Sequence, residues 1–150
     1  MFKSLLVNQK KVLIASLLIY AISLSTTAFT YNDINGIIVT SGIKAFFIGG
    51  LAILGGGLFE WILWLANPIF FISIFFTIKG KNRRAKPISV IAVLIALSFL
   101  TWKNVLAAED GRTGDIQTRG LGYFLWLLSM TIWSISLYIP TDIRAIRPDK

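Results

Sequence analysis

The chain has 150 residues, 55% of them hydrophobic, and a mean hydropathy of +0.73, where soluble domains run about 45–50% apolar. This composition points to one integral membrane domain rather than a soluble one. It contains no cysteine and no histidine, which removes thiol nucleophiles, disulfides, zinc sites and the usual proton shuttle. The formal charge of +8 does not mark a nucleic-acid binder, because the lysines and arginines fall mainly between apolar runs, as membrane topology requires.

Lys3, Lys10 and Lys11 precede an apolar run from Val12 to Ala28, long enough for a first span over about 12–29. A basic start, an apolar centre and a small-residue exit also resemble a signal peptide. The length of the run favours an uncleaved anchor. Ser16, Tyr20, Ser23 and Thr27 recur at helical spacing and suit packing against a neighbouring helix. Thr30 to Gly36 is polar and lacks lysine or arginine, so it reads as a loop on the outer side.

The apolar stretch that follows is too long for one span. From Gly42 to Ile78 it would measure roughly 55 Å as helix against a hydrocarbon core of about 30 Å. Two full spans would put the next loop on the wrong side. That loop, Lys79 to Pro87, carries Lys79, Lys81, Arg83, Arg84 and Lys86 and belongs in the cytoplasm. A second span at 58–78 satisfies both constraints, with residues 37–57 forming a re-entrant or in-plane segment on the outer side. A long tilted helix is the alternative. A third span over 88–107 starts at Pro87 and has a small-residue face of Ser89, Ala92 and Ala96. Residues 108–120 read as an exposed outer connection. A fourth span at 121–139 carries Gly122, Trp126, Ser129, Trp133 and Ser136 on one face. The tail adds Arg144, Arg147 and Lys150, so eleven basic residues lie on the inner side against four outside. The expected fold is therefore all-α, four transmembrane helices plus the 37–57 segment, in a bacterial inner membrane with both termini cytoplasmic.

The most particular stretch is Glu60-Trp61-Ile62-Leu63-Trp64-Leu65-Ala66-Asn67-Pro68. On a helix, Glu60, Trp64 and Asn67 share one face, and Pro68 removes a backbone donor beside them. An acid in a span costs about 2.5–3.5 kcal/mol at the bilayer centre and is a functional candidate by default. Lys44, Lys103 or Arg119 could pair with Glu60. Asn67 could bond across helices or cap backbone freed by Pro68. Trp61, Trp64, Trp102 and Trp126, joined by Tyr123 and Tyr31, fall near the outer interface, as an aromatic belt or as the wall of a pocket around Glu60. The candidate partner or ligand site is thus Glu60, Trp61, Trp64, Asn67, Pro68, Tyr123 and Trp126. No catalytic constellation, cofactor motif or metal-ligand set is present. The glycine runs at 49–50 and 55–57 lack the lysine and hydroxyl residue of a phosphate loop.

Trp-Leu-Ala-Asn-Pro at 64–68 and Gly-Tyr-Phe-Leu-Trp-Leu-Leu-Ser at 122–129 together resemble a group of small four-span bacterial inner-membrane proteins. That resemblance implies the four-span layout and carries over no activity. The expected function is non-enzymatic: binding of another membrane protein, in the manner of an immunity protein or an accessory subunit, or self-association. A small oligomeric transporter or channel lined by Glu60 and Asn67 is the alternative, and a lipid-acting membrane enzyme ranks last.

Overall fold

A computed structural model describes residues 7–34, 36–108 and 111–139. Helix α1 (Val7–Ser25) leads directly into a hairpin, β1 (Thr27–Asp33) and β2 (Gly36–Ser41). Next come α2 (Gly42–Leu51) and a 3-10 turn (Ala52–Gly55), then α3 (Leu58–Trp64) and α4 (Ala66–Ile78). Helix α5 (Asn82–Ser98) is followed by β3 (Asn104–Leu106), β4 (Thr113–Arg119) and α6 (Leu121–Tyr138). Three helical stretches are long and apolar enough to cross a membrane: Leu58–Ile78, Asn82–Thr101 and Leu121–Tyr138. Helix α1 carries Lys10 and Lys11 near its N-terminal end.

The chain is mostly helical but not all-α. Four strands form one antiparallel sheet in the order β2-β1-β4-β3. The predicted first span over 12–29 is cut at Ser25. Thr26 Oγ1 donates back to the carbonyls of Ile22 and Ser23, a local competition that ends helices. Residues 27–33 then extend as a strand instead of a loop. Thr27, Phe29 and Tyr31 suit a pleated half-buried surface, and Asp33 pairs with Gly36 across a two-residue connection. Gly36 takes φ +102° there, which favours glycine.

The third span was expected to reach residue 107. Its α-helix stops at Ser98 and its last turn at Thr101, and β3 follows. The connection expected at 108–120 contains β4, an interior strand bonded to both β1 and β3. Residues 109 and 110 lie outside the described residues. Pro87 sits inside α5, not at its start, so the polar turn shrinks to 79–81. The 37–57 segment begins as strand β2 and becomes helical only from Gly42; Gly56 at φ +84° closes its 3-10 turn. One long tilted helix is therefore not formed.

The four long helical stretches pack side by side, α1 on α6, α6 on α5 and α5 on α4. The sheet lies at one end of the bundle and the 79–81 turn at the other. Small residues make the seams. Ser16 Oγ donates to the Ser129 carbonyl at 2.8 Å, and Ser89 bonds Ser134 at 3.0 Å. At Gly122 an added Cβ would come within 2.8–3.0 Å of the carbonyl oxygens of Thr27, Thr26 and Ser23. Phe70, Met130 and Trp133 fill the centre of the bundle, each 1% exposed or less. The Trp133 Nε1–H donates to Ser73 Oγ at 2.9 Å, which satisfies an indole that the apolar core would otherwise strand.

A second apolar cluster, built on Phe99, Val105 and Tyr123, joins the sheet to the bundle. Arg119 locks this junction. Its guanidinium donates to the carbonyls of Phe99, Leu100 and Trp102 at 2.7–3.2 Å and stacks on the Phe99 ring. Carbonyls of the turn that follows α5 are thus held by a residue of β4.

Candidate functional site

Pro68 shapes this region one turn before its own position. Lacking N–H, it cannot bond the Trp64 carbonyl, and its ring crowds that same group. The helix accordingly breaks at Leu65, between α3 and α4. The Asn67 side chain replaces the missing bond: its Nδ2 donates to the Trp64 carbonyl at 2.9 Å. Its Oδ1 accepts from Tyr20 O–H of α1 and Trp126 Nε1–H of α6, both at 2.8 Å. Two donors on one side and an acceptor on the other define the orientation of the amide. Asn67 is 5% exposed and holds three helices through one polar group.

Above this group lies a half-open cavity of about 740 Å³, lined by the sheet, α2 and the neighbouring ends of α1, α3, α5 and α6. Ser23 and Asn67 are at its base, Phe29, Tyr31 and Val105 come from the sheet, and Phe46 and Gly49 come from α2. Phe99, Trp102, Tyr123 and Trp126 complete an aromatic wall. The rings contact one another in tilted and edge geometries with centroids 5.3–6.1 Å apart, as for Phe99 with Tyr123 and Tyr123 with Trp126, the arrangement aromatic quadrupoles prefer. Trp64 lies against the backbone of α2 at Gly49 and Gly50, where an added Cβ would approach the indole to 3.1–3.2 Å. Those two glycines are what lets α2 close over the cavity. The Trp64 Nε1–H is buried there with no hydrogen-bond partner.

Glu60 also lines the cavity. Its Oε1 accepts the backbone N–H of Leu106 at 2.7 Å, so the carboxylate tethers β3 to α3. No ion pair joins Glu60 to Lys44, Lys103 or Arg119. Arg119 is engaged on carbonyls instead.

Of the residues singled out from sequence, Glu60, Trp64, Asn67, Tyr123 and Trp126 meet at the cavity, while Trp61 and Pro68 do not line it. Tyr123 contributes its ring; its hydroxyl donates to the Ala96 carbonyl at 3.0 Å. Tyr31, placed in the same aromatic zone by the sequence reading, lines the cavity too; Phe29, Phe46, Phe99 and Val105 were missed. For Phe29 a signal existed: it lies two residues from Tyr31, and residues two apart on a strand face the same side. Phe46 and Phe99 carry no signal separating them from ordinary apolar helix residues. Comparisons of the chain with protein-family models, with curated proteins and with solved structures find no match.

Proposed function

We propose that this chain is a non-enzymatic multi-pass membrane protein that works by binding, and that the cavity beneath the sheet holds an apolar ligand. The observation carrying this reading is the cavity itself: about 740 Å³, aromatic-walled, with a few polar groups at its edges. Small-molecule sites have this size and make-up. The reading places the chain in a bacterial inner membrane with the sheet outside, since the basic residues concentrate toward the opposite end. Helix α2 then lies in the outer leaflet. None of its residues is buried, and Ile43 and Phe47, which do not line the cavity, are 50% and 63% exposed. That leaves them for lipid and puts the cavity beside the acyl chains. The absence of histidine and cysteine agrees with binding rather than chemistry.

Ala45 lines the cavity, so Ala45→Trp should fill part of it. In a neutral maltoside detergent, the parent chain is expected to raise Nile red fluorescence above the empty-micelle baseline. Ala45→Trp should weaken that binding by about tenfold or more, an effect on the order of 1.4 kcal/mol, with thermal unfolding unchanged. Equal dye binding by both proteins, or none by the parent, would contradict the proposal.

A second reading, binding of another membrane protein, is favoured by the sheet edge. Strand β2 is an edge strand, and Ile37 and Val39 on it are 68% and 55% exposed, beside Ile34 at 76%. Exposed apolar edges are docking surfaces or liabilities. Crosslinks to one stoichiometric protein from Val39, and none from Ala45, would favour this reading over the first. Transport through a single chain has less support, because below Asn67 the space is occupied by Phe70, Met130 and Trp133.

A further inference from the structure

Resting on the reading of the cavity as a ligand site, we propose that it selects a lipophilic cation, an amine or quaternary onium carrying an apolar body. The chain as a whole is strongly basic, with fifteen lysines and arginines against seven acids. Among the described residues no lysine or arginine lines the cavity, and Glu60 is the one acid that does. Arg119, the basic residue tied into the same junction, is held on the carbonyls of Phe99, Leu100 and Trp102. The faces of phenylalanine, tyrosine and tryptophan rings attract cations, and the one unpartnered donor described at this wall is the neutral Trp64 N–H, which carries no charge to hold an anion. Glu60 adds a full negative charge at the edge of that wall. Among the described residues its only partner is the Leu106 N–H on Oε1, so the carboxylate has no cation of its own. Partial withdrawal from water strengthens its attraction for one. A fatty acid or other apolar anion would meet the carboxylate with no lysine or arginine to offset it. The arrangement excludes ligands by charge as well as admitting them by shape.

The test uses two probes of one shape and opposite charge, tetraphenylphosphonium and tetraphenylborate, each titrated as a competitor of Nile red on the full chain in a neutral maltoside detergent. The phosphonium is expected to displace the dye at a concentration about tenfold or more below the borate, as a desolvated cation–π wall with one carboxylate implies. In Glu60→Gln the preference should fall to about threefold or less, since the charge is lost while the amide oxygen can still accept the Leu106 N–H. Equal displacement by both ions, a preference for the borate, or a preference unchanged in Glu60→Gln would overturn the cation assignment and leave the binding reading standing. Should Nile red itself fail to bind the parent chain, the binding reading falls and the assignment with it.

Discussion

Asn67→Ala is expected to lower the unfolding free energy by about 2–4 kcal/mol, the largest loss from any single polar substitution in the bundle. The reason is the number of groups it strands. Tyr20 O–H, Trp126 Nε1–H and the Trp64 carbonyl all bond to this one side chain, and the Trp64 carbonyl has no Pro68 N–H to fall back on. Each buried group left unsatisfied costs about 1–3 kcal/mol in water-soluble proteins, and cycles within membranes average nearer 0.6. Unfolding by titration with dodecyl sulfate in bicelles, followed by tryptophan fluorescence, would measure it. Tyr20→Phe alone should cost roughly 1 kcal/mol. Added to Asn67→Ala it should cost almost nothing more, since its partner is already gone. Full additivity of the two would mean that the hydrogen bond between them does not exist.

Gly122→Leu should be of similar size, about 2–3 kcal/mol, through overpacking rather than lost hydrogen bonds. The α1–α6 seam closes on backbone at this point. A Cβ at residue 122 would meet three carbonyl oxygens of residues 23–27 within 3.0 Å, and backbone carbonyls at a helix end cannot rotate away as a side chain would. Accommodating leucine requires α1 to move off α6, which also pulls on β1 within the sheet. Gly122→Ala should fall between the two, and the same denaturant titration ranks them. A leucine variant as stable as the parent would show that the helices are farther apart than described.

The parts of this molecule legible from sequence are those specified by local patterns. Apolar length marked the stretches at 58–78 and 121–139, and small-residue periodicity marked the faces they bury. Ser89, Ala92 and Ala96 on α5 are 1% exposed or less, and so are Ser129 and Trp133 on α6. The Asn67-Pro68 pair was legible because both residues are costly inside apolar helix, so each needed a compensating partner. The sheet was not legible. Its strands have 3–7 residues, too few for a firm period-2 signal, and β4 reads as a polar loop because only Gly114 on it is buried. Its pairing is also non-local: Phe29 faces Arg119 across ninety positions of sequence. The Asn35-Gly36 dipeptide was the one strong hairpin cue, and an assumption that everything between spans is loop conceals it. The cavity was half legible. Glu60, Trp64 and Asn67 keep their common face across the break at Leu65, whereas Trp61, one residue off that stripe, points elsewhere. The opposite wall comes from strands whose existence had not been inferred.

The most direct test of a ligand cavity beneath the sheet is photolabelling of the full chain in native membranes with a long-chain alkyl alcohol bearing a diazirine, followed by peptide mapping. The predicted result is adducts concentrated on residues 45–49, Trp64 and Trp126, reduced by excess unlabelled alcohol and by Ala45→Trp. Adducts spread evenly over the exposed helix faces, at Leu18, Ile91, Leu94 and Ile135, and insensitive to both treatments would contradict it.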